Sequence, residues 1–150
     1  MTVKTDLVVG FTCSAFDLLH PGHILMLSEA KTVCDYLICG LHVDPGVERA
    51  YKSRPVQSVL ERFIQLKAVK YVDEIVPYET ERDLENILWS YPIDVRIIGS
   101  EYKDKPFTGR AICEDLGIKL HYNSRRHSYS TSKLRQVLLS AKENDSKDAN

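Results

Sequence analysis

The sequence has almost no net charge and no long hydrophobic run. Its 20 Lys and Arg residues stand against 21 Asp and Glu residues, which gives a formal net charge of -1. Without an excess of positive charge, we expect neither nucleic acid nor an acidic membrane surface as a partner. The apolar runs are much shorter than the roughly 20 residues that cross a bilayer, and the first residues lack the apolar core of a signal peptide. The sequence therefore predicts a cytoplasmic protein without stable membrane insertion.

Cysteine is also scarce, and the four cysteines are poorly placed for binding a metal. Cys13, Cys34, Cys39 and Cys113 show no C-x-x-C spacing, which zinc sites commonly use. Three of them stand among apolar or small residues. We therefore expect reduced, partly buried thiols rather than a zinc site or a disulfide framework.

Short apolar runs alternate along the chain with segments of helical periodicity, without an internal repeat or a flexible linker. This alternation predicts an α/β fold in which a five-stranded parallel sheet lies between two layers of helices. We expect one domain over residues 1–140 and a polar C-terminal tail over 141–150 that frays. The predicted strands are 7–11, 36–43, 71–76 (ended by Pro77), 95–99 and 118–122. The predicted helices begin at Pro21, cover 56–69 and 81–90, and are capped by Thr108 and by Ser130 or Thr131.

The stretch after the first predicted strand combines small residues, two histidines and the start of a helix. Pro21 suits the first turn of a helix, because its φ is already fixed and it has no N–H to leave unpaired. His20 and His23 therefore flank a helix N-terminus, where free N–H groups and the helix dipole favour an anion. Two surface histidines or half of a metal site are the alternatives, but no third metal ligand lies at a suitable spacing nearby. The pattern favours a phosphate-binding site.

The chemically active side chains gather in loops that follow the predicted strands. These loops are 13–23, 47–55, 100–107 and 123–132. In a parallel sheet, the carboxyl ends of the strands lie at one edge, and ligands bind there. We therefore expect the four loops to build a single site.

The segment FDLLHPGH, at 16–23, resembles the signature of the HxGH nucleotidyltransferases. Further similar segments are KYVDEI at 70–75, IIGSEY at 97–102 and YSTSK at 129–133. Together they most resemble the cytidylyltransferases that activate glycerol 3-phosphate, phosphocholine or phosphoethanolamine. This resemblance, over about 7–135, implies a Rossmann-like fold, a homodimer, and transfer of CMP from CTP to a phosphorylated small alcohol with release of pyrophosphate. Use of ATP as the donor, or a nucleotide-binding protein without turnover, are the alternatives.

The resemblance also implies four catalytic residues. His20 and His23 match the two motif histidines that contact the triphosphate, and Arg125 matches an arginine that holds it. Lys52 lies in a loop that resembles the lysine loop of the choline and ethanolamine enzymes, and we expect it to bind the acceptor phosphate. Ordinary surface charges are the alternative for Lys52 and Arg125. Transfer between phosphates requires aligned reactants and neutralised charge more than a general base.

Other positions line the nucleotide and the acceptor in the enzymes that the sequence resembles. The implied nucleotide-binding positions are Ser14, Ala15, Phe16, Gly99, Glu101, Ser130, Thr131 and Ser132. The implied acceptor-binding positions are Asp17, Arg62 and Tyr102. Helix capping is the alternative for 130–132, and packing is the alternative for the aromatic residues. Ser14 and Ala15 stand where the family has Gly-Thr or Gly-Ile, and a glycine before its second signature is replaced here by Ser128-Tyr129.

No cluster of acidic residues in the sequence resembles a metal cage, so no metal ligand is assigned to the chain. We expect Mg²⁺ to enter with the nucleoside triphosphate, because Mg²⁺ commonly binds through substrate phosphates. The expected partners are therefore CTP or ATP with Mg²⁺, and a phosphorylated small-molecule acceptor.

Overall fold

The computed structural model describes residues 6–124 and 127–148 and contains a five-stranded sheet. The strands are β1 (Val9–Ser14), β2 (Tyr36–His42), β3 (Glu74–Tyr78), β4 (Val95–Gly99) and β5 (Lys119–Asn123). Their order is β3-β2-β1-β4-β5, and each neighbouring pair is parallel. The predicted fold class, a Rossmann-like parallel sheet of five strands, is confirmed.

Helices cover both faces of this sheet. They are α1 (Pro21–Thr32), α2 (Val59–Lys67), α3 (Glu81–Ser90), α4 (Arg110–Leu116) and α5 (Thr131–Asp148), with a 3₁₀ turn at Ser100–Tyr102. Leu27 of α1 and Leu66 of α2 belong to one hydrophobic core, whereas Leu88 of α3 and Cys113 of α4 belong to a second core. Because successive strand residues point to opposite faces, the sheet contributes to both cores. Within 6–124 and 127–148, no helix is long and apolar enough to cross a membrane.

The strand order places a switch point between β1 and β4. From β1 the chain moves outward to β2 and β3, and it then returns to the other side of β1 to form β4 and β5. The connections at the carboxyl ends of β1 and β4 therefore run in opposite directions, which opens a crevice at that edge. Residues 15–20, which end at His20 and are called the histidine loop below, follow β1 directly. This crevice is therefore where the fold would place a ligand.

The prediction that Pro77 ends the third strand is wrong. Pro77 lies inside β3 and is aligned with Leu41 of β2. Proline cannot donate a hydrogen bond to a second neighbouring strand, but β3 is the outermost strand and has only one neighbour. Proline is compatible with an edge strand for this reason.

Several other predicted boundaries also differ from the structure: the third strand begins at Glu74 rather than at 71, and the second helix covers Val59–Lys67 rather than 56–69. The first strand continues to Ser14 because its small residues still pair with β2 as far as Leu41. The residue that precedes α4 is Gly109, with a φ of 84°, rather than Thr108. The predicted fraying tail from residue 141 is helical to Asp148, since Ala, Lys and Glu in this segment favour a helix.

Candidate active site

His20 and His23 cap the first helix reciprocally. The Gly22 N–H donates to Nδ1 of His20 over 3.0 Å, and the His20 N–H donates to Nδ1 of His23 over 3.2 Å. These bonds satisfy N–H groups that have no partner within the helix. The two rings also lie against each other, with centroids 3.9 Å apart. The sequence prediction of a helix start with two adjoining imidazoles is confirmed.

The cap fixes which nitrogen of each ring is available to a ligand. Because each Nδ1 accepts a backbone N–H, the proton of the neutral ring is on Nε2. Burial lowers the pKa of His23 to about 4, and the neighbouring His20 contributes to this shift. Burial also lowers the pKa of His20, with a contribution from His127. At neutral pH the two rings are therefore uncharged Nε2–H donors.

Asp17 links the histidine loop to two distant parts of the chain. Its carboxylate accepts the N–H groups of Val56 (2.8 Å) and Gln57 (3.0 Å), and it accepts a bond from the Arg135 guanidinium over 2.6 Å. Burial alone would raise the pKa of Asp17, but these donors outweigh it and lower the pKa. The side chain is 6% exposed. These contacts give Asp17 a positioning role in place of the direct acceptor contact that the sequence suggested.

The residues on either side of Asp17 have an unusual backbone conformation. Phe16 has a φ of 49° and Leu18 has a φ of 50°, which is unfavourable for residues with a branched or bulky side chain. Such strain accumulates at functional sites, where surrounding contacts hold it in place. The Phe16 ring is 1% exposed, and its centroid lies 5.6 Å from that of His23. Phe16 therefore packs behind His23 and is not open to a nucleobase.

Arg62, the second predicted acceptor-binding residue, is buried and bound to backbone carbonyl groups. Its guanidinium donates to Ala15 O (2.8 Å), His42 O (2.7 Å) and Val43 O (2.6 Å). Nε donates to Gln57 O over 3.1 Å. With 2% of its surface exposed, Arg62 holds together the loops that follow β1 and β2. The structure thus assigns Arg62 to the support of the site rather than to contact with an acceptor.

The start of α5 docks on the histidine loop. The Ser130 hydroxyl accepts the Lys133 N–H over 3.1 Å, which caps the helix as predicted. The Thr131 hydroxyl donates to the carbonyl of Asp17 over 3.1 Å, whereas Ser132 is exposed. The N-termini of α1 and α5 are therefore both tied to the loop around Asp17. Two helix N-termini beside one loop favour an anion there.

The carboxyl ends of β1 and β4 and the residues just after them include four more of the predicted positions. Ser14 Oγ accepts the Phe16 N–H over 3.4 Å, and Ala15 meets Arg62 through its carbonyl group. The Glu101 carboxylate folds over Gly99, so that a Cβ at that glycine would overlap Oε2 of Glu101.

Tyr102 lies on the same loop as Glu101. Its ring packs edge-on against Phe107, with centroids 6.3 Å apart. Gly99, Glu101 and Tyr102 stand at and after the end of β4, whereas the two histidines stand after β1.

Lys52 and Arg125 are not brought to the histidines within the described residues. Lys52 is exposed, and its Nζ lies 5.8 Å from the centroid of the Tyr51 ring. Its loop is attached to α3 by an ion pair of 2.6 Å between Arg49 and Glu81. Arg125 lies outside the described residues.

Sequence reasoning missed His127 and Arg135. His127 lies in the predicted loop 123–132, and Arg135 lies on the helix that is predicted to begin at Ser130 or Thr131. His127 stands between Arg125 and Ser130, and Arg135 lies one helical turn after Thr131 on α5. The i to i+4 spacing of Thr131 and Arg135 was the signal that both face the histidine loop.

The described residues do not contain a group of three or more His, Cys, Asp or Glu side chains that could hold a metal ion. The four cysteines are free, and three of them are buried.

Comparison with known proteins gives a family match and several relatives for this chain. The sequence matches the family described as cytidylyltransferase-like over residues 11–137. The bifunctional protein HldE of Caulobacter sp. (strain K31) is 36% identical over 129 residues, which are 85% of this chain and 26% of that protein. HldE of Campylobacter jejuni subsp. jejuni serotype O:6 is 37% identical over 132 residues, or 87% of this chain and 28% of that protein. The chain spans about a quarter of the length of these relatives.

Solved structures share the fold at lower sequence identity. A lipopolysaccharide core biosynthesis protein from Thermoplasma volcanium GSS1 superposes with a TM-score of 0.66 at 22% identity, covering 81% of this chain and 99% of that chain. Pantoate-beta-alanine ligase from Francisella tularensis, solved with beta-gamma ATP and beta-alanine, gives a TM-score of 0.53 at 18% identity, covering 85% and 62%. From the match over residues 11–137, the parallel sheet and the capped histidine pair, we conclude that this chain belongs to the cytidylyltransferase-like family of nucleotidyltransferases.

Proposed function

We propose that this chain transfers a nucleoside monophosphate from a nucleoside triphosphate to the phosphate of a small phosphorylated alcohol. The observation that carries the proposal is the reciprocal cap of His20 and His23 at the start of α1. The cap engages Nδ1 of both rings, so their Nε2–H groups are the donors proposed to meet a phosphate near the positive end of the α1 dipole.

The reaction requires no nucleophilic side chain from the protein. An oxygen of the acceptor phosphate attacks the α-phosphorus of the triphosphate and forms a new P–O bond. The bond between the α-phosphorus and the bridging oxygen to the β-phosphate breaks, and pyrophosphate leaves with the electron pair. Donors placed where charge develops on the phosphate oxygens accelerate such a step. His20 and His23 are the proposed donors, and Asp17 and Arg62 keep their loop in place.

Magnesium enters this proposal as part of the substrate. We propose that the Mg²⁺ ion arrives on the triphosphate and retains several water ligands. The protein then has only to bind the phosphate groups that the ion leaves accessible.

For the donor nucleotide we propose CTP, and the family description supports this choice. ATP is the second candidate, because the structurally similar pantoate-beta-alanine ligase was solved with beta-gamma ATP. For the acceptor we propose a compound similar to glycerol 3-phosphate. In-line attack requires the incoming phosphate to lie opposite the leaving pyrophosphate. Lys52 is the proposed ligand of the acceptor phosphate, because it lies on a loop after β2 that is separate from the histidine loop.

Pyrophosphate release from a matrix of four nucleoside triphosphates and a panel of phosphorylated alcohols tests the proposal. We expect release only when a triphosphate, an acceptor and Mg²⁺ are all present, with CTP as the most active donor. Preference for ATP would replace the cytidylyl assignment by adenylyl transfer. Absence of pyrophosphate with every combination would contradict the proposed reaction.

A further inference from the structure

We propose that His127 is a third imidazole of the phosphate site and donates a hydrogen bond from Nε2 to the triphosphate. This inference rests on the proposed function, because it assigns a new ligand-binding residue to the same site. It concerns a residue that neither the family signature nor sequence reasoning marks out.

The position of His127 relative to Gly22 is the first observation. If Gly22 carried a Cβ, that atom would lie 2.7 Å from Cε1 of His20 and 3.0 Å from Cε1 of His127. Both rings therefore lie against the same glycine, at the first turn of α1. A real side chain at this position would displace one ring or the other. The glycine allows the two imidazoles to share the N-terminus of the helix.

The second observation is that one ring nitrogen of His127 has no hydrogen-bond partner. Nδ1 is buried and has no hydrogen-bond partner in the described part of the chain. Buried N–H groups without a partner are rare, and a bare acceptor nitrogen is tolerated more often. We therefore assign the ring N–H of this half-buried residue to Nε2. His20 and His23 have the same arrangement, with Nδ1 inward and Nε2–H available.

The surroundings of His127 show how the ring is held. Its ring stacks on Tyr129, with centroids 5.5 Å apart and an interplanar angle of 28°. The residue also lies only a few positions before Ser130 and Thr131, which fix the start of α5 to the histidine loop. His127 thus stands between the N-termini of α1 and α5. A triphosphate that begins at the histidine pair and extends toward α5 would pass its Nε2–H.

The experiment measures binding rather than turnover. The probes are the α,β-methylene analogues of CTP and ATP, with CMP and AMP as monophosphate controls, in isothermal titration calorimetry with Mg²⁺. The variant His127→Phe keeps a ring for stacking on Tyr129 and removes both nitrogens. We expect it to bind the triphosphate analogue about tenfold or more weakly, the size of one hydrogen bond to a charged group, and to bind the monophosphate within about twofold of the unsubstituted chain.

Two further variants separate a donor from a packing role. His127→Gln places an amide N–H near the position of Nε2, and we expect it to recover most of the lost affinity. His127→Asn, which places its amide nearer to Nδ1, should not. The matched control is His121→Phe, because His121 is another half-buried histidine that pairs with Glu29 at 3.3 Å, away from Gly22. We expect this control to bind all four nucleotides normally.

Each alternative outcome has a defined meaning. If His127→Phe binds the triphosphate as the unsubstituted chain does, or weakens triphosphate and monophosphate equally, the inference is wrong and His127 is a packing residue. Recovery by Asn rather than Gln would also overturn the assignment of Nε2. If the unsubstituted chain binds no triphosphate analogue, the proposed function itself fails. Should His127→Phe not fold, the contrast between the Gln and Asn variants decides the question alone.

Discussion

Replacing Asp17 by alanine removes the acceptor that holds three segments of the chain together. The N–H groups of Val56 and Gln57 lose their partner, and so does the Arg135 guanidinium. Leaving one buried polar group unpaired costs about 1–3 kcal/mol. The Arg135 side chain is 28% exposed, so water offsets part of its loss. We expect the free energy of unfolding to fall by about 3 kcal/mol, which corresponds to roughly 10 °C in the midpoint of thermal unfolding for a chain of this size.

Urea unfolding of Asp17→Ala measures this change, and Asp83→Ala is the matched control. Asp83 also accepts two backbone N–H groups, those of Glu79 and Thr80, but it does so at the start of α3. Loss of such a helix cap costs about 1 kcal/mol. A double-mutant cycle with Arg135→Met should give a coupling of about 1–2 kcal/mol between Asp17 and Arg135. Equal destabilisation by the two alanine variants, or no coupling in the cycle, would refute the linking role of Asp17.

The stabilising effect of Asp17 should depend on pH in one direction. The pKa of Asp17 is lowered in the folded chain below its ordinary value of 3.8. The ionised carboxylate therefore contributes its full stabilisation above that value, and the contribution is lost as the pH falls through the lower folded pKa. The difference in stability between the unsubstituted chain and Asp17→Ala should accordingly shrink in acid below about pH 4.

Three further predictions concern the histidine pair, the lysine loop and assembly. The pKa of His23 is lowered from 6.5 to about 4, so the free energy of unfolding should decrease as the pH falls from about 6.5 to 4. In His23→Gln this part of the decrease should be absent. If NMR shows the His23 ring titrating near 6.5, the burial argument is wrong. Lys52→Ala should raise the KM for the acceptor about tenfold or more while leaving triphosphate affinity unchanged, because Lys52 is exposed on a loop separate from the histidine loop. Reduced affinity for the triphosphate would instead place Lys52 in the nucleotide site. The homodimer expected from the family resemblance should appear by sedimentation at twice the 17.1 kDa of one chain, and a purely monomeric species at micromolar concentration would contradict it.

The sequence was sufficient for the architecture and for the start of α1 because both depend on local patterns. The Pro21 position and the two flanking histidines predict α1 and its N-terminus without tertiary information. Alternating apolar runs predict the parallel sheet in the same way. The pattern was less informative about which side chains are buried: Leu25 of α1 is apolar but 49% exposed. Edge position, which makes Pro77 compatible with β3, is likewise a property of the assembled sheet.

The support of the site could not be predicted, because its contacts join residues that are far apart in sequence. Asp17 and Arg135 are 118 positions apart, and Arg62 and Ala15 are 47 apart. A family resemblance identifies Asp17 and Arg62 as important positions but does not separate a residue that touches the acceptor from one that holds a loop. Burial and hydrogen-bond partners make that separation, and both require the folded chain. His127 was missed for the same reason, since its proximity to Gly22 is a tertiary contact.

The central claim is that His20 and His23 provide Nε2–H donors for nucleotidyl transfer, and pyrophosphate release by three variants tests it most directly. His20→Ala and His23→Ala should each release pyrophosphate at least about a hundredfold more slowly, because each loses a donor at the reacting phosphates. The control His121→Ala, which lies on β5 and contacts Glu29, should be within about twofold of the unsubstituted chain. Near-normal release by folded His23→Ala would contradict the account.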